Sequence, residues 1–281
     1  MELPYRMLVL DLDGTALSKD PTVFAPGVLE AAAQASAQGV EVVFATGRPR
    51  THLPPDVRPG ALPWLRYLVL NDGAQILDRQ TGACLWMQAV EAAALERVAT
   101  VSRRFAVPAE YIDAAGVYHV PEPALKALWE DARVSAFHRN ILHTSAKTFI
   151  GSPAQFAPEH IVKINMPSIP ADHWDAVCAA LEQTGVLPME CCPGALEITS
   201  AKAGKRQAVE FLAGRLGLSL ADVMALGDSG NDAALLRAAG LGIAMGNASA
   251  VAKQAADAVT APHDAGGAAL AIHKWLFQNK A

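Results

Sequence analysis

Four short apolar runs in this chain each end in a cluster of small, polar or acidic residues. That recurrence restricts the fold more than any other feature. Met7-Leu8-Val9-Leu10 leads into Asp11-Leu12-Asp13-Gly14-Thr15, and Val42-Val43-Phe44-Ala45 into Thr46-Gly47-Arg48. Leu68-Val69-Leu70 leads into Asn71-Asp72-Gly73, and Val223-Met224-Ala225-Leu226 into Gly227-Asp228-Ser229-Gly230-Asn231-Asp232. Runs this short and this apolar read as strands buried on both faces, the signature of a parallel sheet. In an open parallel sheet, ligands bind outside the carboxyl ends of the strands. An active site at such an edge writes this pattern into a sequence.

The first cluster carries the sharpest chemical demand. On a strand, residues i and i+2 point to the same side, so Asp11 and Asp13 repel unless a positive charge lies beside them. Magnesium answers that need, being a hard cation that takes carboxylate and backbone oxygens. An acidic turn after a strand is the plainer reading of the same residues, because Asp-Gly is a common turn pair.

These residues resemble the haloacid dehalogenase superfamily of phosphohydrolases, and most closely its Cof-type branch. The first motif is Asp11-Leu12-Asp13-Gly14-Thr15, the second ends in Thr46-Gly47-Arg48, the third is a lysine, and the fourth is Gly227-Asp228-Ser229-Gly230-Asn231-Asp232. Asn71-Asp72-Gly73-Ala74, Leu196-Glu197-Ile198 and Met245-Gly246-Asn247-Ala248 extend the likeness to both ends of the chain. The resemblance implies an α/β fold: a Rossmann-like doubly wound parallel-sheet core with an inserted α+β cap domain. The alternation of elements places the core at residues 1–83 and 193–281 and the cap at 84–192. At 281 residues the chain is comfortable for two domains.

Within that frame, residues 26–38 read as a helix, with Pro26 near its start and Gly39 beyond its end. Residues 75–77 and 84–87 flank Asp78-Arg79-Gln80-Thr81-Gly82 as a hairpin, and residues 109–112 and 117–120 form another. Residues 91–105 look helical.

By resemblance, Asp11 is the nucleophile that forms an aspartyl-phosphate, which splits one hard displacement into two easier ones. Asp13 is the acid and base for the leaving oxygen and the attacking water. Thr46 and the Gly47 amide bind a phosphoryl oxygen, with Arg48 and Asn231 on the phosphate or substrate side. Magnesium is held by Asp11, the Asp13 backbone carbonyl, Asp228 and, directly or through water, Asp232. The third-motif lysine falls on Lys205, with Lys202 a nearby competitor. Arg206 stands where the family usually has glycine, Ala16 where it commonly has a larger aliphatic residue, and His263 where it often has asparagine. Plainer roles stay open for several residues: Thr46 as a helix N-cap, and Asp228 and Asp232 as acids at a helix N-terminus.

The expected function is a magnesium-dependent phosphatase of small phosphate monoesters, such as sugar phosphates. A phosphomutase using the same intermediate, or a phosphate sensor without turnover, are the alternatives. The resemblance implies that the cap covers the site and contacts the leaving group; His119, His138, Arg139, His143 and Lys147 are its polar candidates.

Composition narrows the partners. A net charge of −5 gives no reason to expect nucleic acid. No apolar segment is long enough to span a bilayer, and Asp11 and Asp13 interrupt the N-terminal apolar run, so a cytoplasmic protein is expected, monomer or homodimer. Cys84, Cys178, Cys191 and Cys192 form no CxxC pair and read as reduced thiols.

Overall fold

The four apolar runs lie side by side. A computed structural model describes residues 3–58, 60–156, 160–182 and 184–277; the outermost residues of the first and last stretches expected for the core lie outside the described residues. In the larger sheet the strands are β1 (Met7–Leu10), β2 (Glu41–Ala45), β3 (Tyr67–Leu70), β4 (Gln75–Asp78), β5 (Cys84–Met87), β12 (Val223–Gly227), β13 (Leu241–Ala244) and β14 (Ala258–Val259). Their spatial order is β14-β13-β12-β1-β2-β3-β4-β5. From β14 to β3 every pairing is parallel. Strand β4 turns back antiparallel to β3, and β5 lies beside β4, joined to it by the turn that the sequence marks at residues 78–82.

Strand β1 is buried at all four positions, as are β3 and β12 at all of theirs. A parallel strand covered on both faces has to be continuously apolar, and these are. Helices complete the core: Val28, Ala31, Ala32 and Ala35 of the helix Val28–Ala37 join it, with Ala208, Val209, Leu212 and Ala213 of Lys205–Arg215. The first of these lies within the expected 26–38 and is followed by Gly39 at φ +85°. This is the α/β, Rossmann-like sheet that the alternation implied.

The smaller sheet runs β10-β11-β9-β6-β7-β8, with β6 (Glu110–Asp113), β7 (Tyr118–Pro121), β8 (Ala146–Phe149), β9 (Ile161–Met166), β10 (Val186–Cys192) and β11 (Ala195–Ser200). It is antiparallel except between β7 and β8. One face carries Tyr111, Ile164, Met166 and Ile198, packed with Leu95, Val98, Val177 and Leu181 of the helices Ala92–Phe105 and Trp174–Glu182.

The chain divides into two compact units, Met1–Arg48, Leu53–Trp86 and Gly204–Ala281 forming one, and Pro49–His52 with Met87–Ala203 the other. These borders differ by a strand at each end from the 84 and 193 read in the sequence. Strand β5 completes a hairpin with β4 and so belongs to the larger sheet. Strand β11 takes β9 and β10 as partners and so belongs to the smaller one. In both places the sequence marks a change of strand direction, and the partner that satisfies the backbone hydrogen bonds decides the unit. All four cysteines are free thiols.

Candidate active site

Parallel pairing of β12, β1, β2 and β3 brings their carboxyl ends to one edge. Asp228, Asp11, Thr46 and Asn71, each the first residue past its strand, are therefore neighbours there. After Asp11 the backbone closes a wide turn: the Ala16 amide donates to the Asp11 carbonyl (3.2 Å) and Leu17 to Leu12 (2.9 Å). Gly14 sits in this turn at φ +73°, and a Cβ there would stand 2.3 Å from Asp228 Oδ2. Glycine is thus what lets the two acidic loops meet. Ala16 is fully buried, so the smaller side chain leaves no exposed gap.

Of the two candidate lysines, Lys205 is buried and Lys202 is not. Lys205 Nζ donates to Asp11 Oδ1 and to Asp232 Oδ1, both at 2.6 Å. Lys202 is an exposed partner of Glu91. Lys205 opens its helix, and its entry is set by two glycines in contact: Gly204, at φ +147°, lies so close to Gly73 that a Cβ on Gly73 would fall 2.1 Å from the Gly204 carbonyl carbon. Arg206, where glycine was expected, is half-exposed and faces Glu210 one turn on, so this departure leaves Lys205 in place.

Asp232 uses both oxygens. Oδ1 takes Lys205, and Oδ2 accepts the amides of Asp228 and Ser229, each at 3.0 Å. Carboxylate oxygens of Asp11, Asp228 and Asp232 lie within 4.8 Å of one another. Burial is the main force raising the Asp11 carboxyl well above the usual range; Asp232, Asp228 and Asp13 add to it, against the opposing pull of Lys205. Burial and then Asp232 push Asp228 up to about 7. Burial opposes the charge on Lys205, yet Asp11 and Asp232 hold its pKa above that of an ordinary lysine. Three acids against one bonded ammonium leave the cluster short of positive charge. An all-oxygen, carboxylate-rich donor set with that shortage fits a hard divalent cation. The Asp13 side chain is not in the cluster.

Asp13 instead meets Arg48, which grips both its oxygens: Nε to Oδ2 at 2.8 Å and Nη2 to Oδ1 at 2.5 Å. Nη2 also donates to the Pro21 carbonyl. Arg48, which the resemblance puts on the phosphate or substrate side, orients the Asp13 carboxylate in this structure. Thr46 is fully buried, and its Oγ1 accepts the Arg48 amide (3.1 Å), which leaves its own hydrogen to donate. Asn231 donates to Asp72 Oδ1 (2.7 Å) and accepts from the Ser229 hydroxyl (2.7 Å). One of its two amide hydrogens is therefore already spoken for.

Two contributors had no role assigned from sequence. Asp72 is fully buried at φ +55° and anchors Asn231. Asn247 donates to the Gly14 carbonyl (2.9 Å) and accepts the His263 amide (2.9 Å). Their signal was present: each follows an apolar strand of the same parallel set, within three residues of its end. His263 Nδ1 bonds the Leu17 carbonyl (2.8 Å), so it ties loops together.

The second unit's polar candidates separate. His119 pairs with Asp113 and His138 with Glu110, while His143 packs against the Trp129 ring. Arg139 caps the Asp131 carbonyl, and Lys147 lies on β8. Among the described residues, the aspartate trio is the only cluster of three or more such groups suited to a metal, and it includes none of these histidines. No helix among them is long and apolar enough to cross a membrane.

Residues 8–272 match the haloacid dehalogenase-like hydrolases. Streptococcus pyogenes serotype M6 has a relative, M6_Spy0533, 27% identical over 290 residues, covering 97% of this chain and 98% of that one. The HMP-PP phosphatase of Serratia proteamaculans is 28% identical over 252 residues, 87% of this chain and 85% of its own. The solved structure of the HAD subclass IIB sugar phosphatase BT4131 superposes with a TM-score of 0.81 at 23% identity, over 96% of this chain and 98% of that one, and shares the fold. The chain belongs to the haloacid dehalogenase-like hydrolases. It is an enzyme, a phosphatase of the Cof type that its motifs resemble.

Proposed function

We propose that this enzyme hydrolyses small phosphate monoesters, sugar phosphates or related metabolites, with magnesium, through an aspartyl-phosphate on Asp11. The observation that carries the reading is the trio of Asp11, Asp228 and Asp232 around one buried lysine. Phosphate monoesters hydrolyse very slowly unaided, so a site for them has to concentrate positive charge and position a nucleophile.

Asp11 and Asp228 would hold the magnesium with the Asp13 backbone carbonyl, and Asp232 would complete the shell, through water, since Lys205 and two amides already use its oxygens. Bound there, the ion supplies Lewis-acid neutralisation of the phosphoryl oxygens and of the attacking carboxylate. Lys205 holds Oδ1 of Asp11, so Oδ2 is the atom left to attack phosphorus. The Thr46 hydroxyl, the Gly47 amide and the remaining Asn231 N–H donate to phosphoryl oxygens.

Asp13 gives a proton to the departing alcohol, then takes one from the water that attacks the phosphorus of the aspartyl-phosphate and releases the Asp11 carboxylate. Arg48 keeps Asp13 oriented between turnovers. The Met87–Ala203 unit supplies specificity, and the enzyme works in the cytoplasm as a monomer or homodimer.

The test is phosphate release from a panel of sugar and nucleotide monoesters, with and without magnesium, beside Asp11→Asn. Magnesium-dependent release that the substitution abolishes supports the proposal. Release that survives Asp11→Asn removes the covalent route.

A further inference from the structure

Cys191 and Cys192 are neighbours in sequence, and neighbours on an unbroken strand face opposite ways. The register of β10 and β11 breaks that rule. Glu190 pairs with Leu196 and Cys192 with Ala195, so β10 advances two residues while β11 advances one. Cys191 is the extra residue of a β-bulge. Its cause is local. Pro193 and Gly194, the latter at φ +79°, close the hairpin, and so short a turn fixes Cys192 opposite Ala195. The surplus residue is taken up one position earlier.

The bulge brings both thiols to one side. Cys192 lies opposite Ala195, which shares its face of the sheet with Glu197. Cys191 is held near Glu197 and Lys163, an ion pair on that same face, and hydrogen-bonds with the Cys192 thiol. Cys191 Sγ also donates to the Ala195 carbonyl at 3.6 Å. Both cysteines are free and open to solvent. Burial of the sulfur, then Glu197 and Cys192, raise the Cys191 thiol well above an ordinary cysteine, against the pull of Lys163. At neutral pH it keeps its proton.

Two touching thiols on one side suit few ligands. Structural zinc takes four ligands and binds thiolates, which costs two protons here. Among the described residues, no third histidine, cysteine or carboxylate joins the two sulfurs in a ligand group. A linear two-coordinate ion needs its sulfurs on opposite sides of it, which neighbouring thiols in contact do not provide. Trivalent arsenic is pyramidal, takes two sulfurs on one side, and reacts with protonated thiols. We propose that Cys191 and Cys192 form a dithiol site for trivalent arsenic. With an organoarsenic dihydroxide, two S–H and two As–O bonds break and two As–S bonds form. Each hydroxide leaves as water with a thiol proton, and arsenic stays trivalent. The site depends neither on the aspartate trio nor on the phosphatase reading.

The test uses the full chain with phenylarsine oxide, whose hydrate is such a dihydroxide. Excess glutathione strips arsenic from single thiols. Mass spectrometry should show one arsenical on wild type and one on Cys84→Ser with Cys178→Ser. Cys191→Ser and Cys192→Ser, each checked for folding by circular dichroism, should carry none. No adduct on wild type, or an adduct that survives either of these two substitutions, overturns the site. The glutathione concentration that displaces half the arsenical should fall about tenfold or more in concentrated urea, because the unfolded chain no longer holds the thiols together. An unchanged value there would mean that adjacency in sequence suffices and would overturn the role of the bulge. Zinc held by the pair more tightly than the arsenical at neutral pH would overturn the choice of ion.

Discussion

Replacing Lys205 with methionine removes the one ammonium bonded to two of three clustered carboxylates. The stem keeps its volume and the charge goes. Breaking a buried ion pair from one side costs about 3–5 kcal/mol, because the remaining charge stays buried without compensation. Protons can offset part of that cost. Asp11 is already raised well above the usual carboxylate range, and Asp228 to about 7, with the lysine present. Without it both rise further. An acid whose folded pKa exceeds its unfolded value takes up protons on folding. Its stabilising contribution is full below the unfolded pKa, near 4, and is lost as pH rises through the folded one. The Lys205→Met penalty should therefore be near its full about 3–5 kcal/mol at pH 8 and be smaller at pH 5.5. Urea denaturation in EDTA at both pH values measures it, and Lys202→Met, at an exposed pair, should leave the midpoint where it was. A Lys205→Met protein as stable as wild type at pH 8, or a penalty independent of pH, would refute the reasoning.

Asp11→Asn should abolish turnover and leave the metal-free protein as stable as wild type or more so at pH 8, because it removes a burial-raised acid beside two others; a loss above about 2 kcal/mol, on the scale of a broken buried pair, would contradict this. In EDTA the melting temperature of wild type should rise as pH falls from 8 to 6, since Asp228 is protonated across that window, and magnesium should flatten the slope. Scanning fluorimetry across pH reads both, and a slope of the opposite sign would count against the raised Asp228. Gly73→Ala places a Cβ against Gly204 at positive φ, so it should destabilise by about 2–4 kcal/mol and cost activity through Lys205. Denaturation beside phosphate release checks it, and a wild-type midpoint would show that the contact relaxes freely.

Local information made the core legible. Strands β1, β3 and β12, and β2 after Glu41, are continuously apolar because both faces are covered, and the polar residue after each marks where the cover ends. Gly39 after its helix and Gly82 in the β4–β5 turn are legible for the same reason, being demanded by backbone angles a few residues apart. The borders between the two units were less so, since β5 and β11 are placed by the strands they pair with and not by any local pattern.

The sequence by itself determined that an α/β core exists, which strands build it, and that carboxylates, a threonine and a lysine gather at their ends. Those are matters of periodicity and chain direction. Only the tertiary structure decided between Lys202 and Lys205, because the choice depends on which side of the Gly73–Gly204 contact the helix begins. It alone turned Arg48 onto Asp13 and Asn231 onto Asp72, across 35 and 159 residues of chain. The burial of Glu110, Lys163, Asn165 and Thr199 is likewise not written in any local pattern of the sequence. Strand register, summed over β6, β9 and β11, is what buries them together.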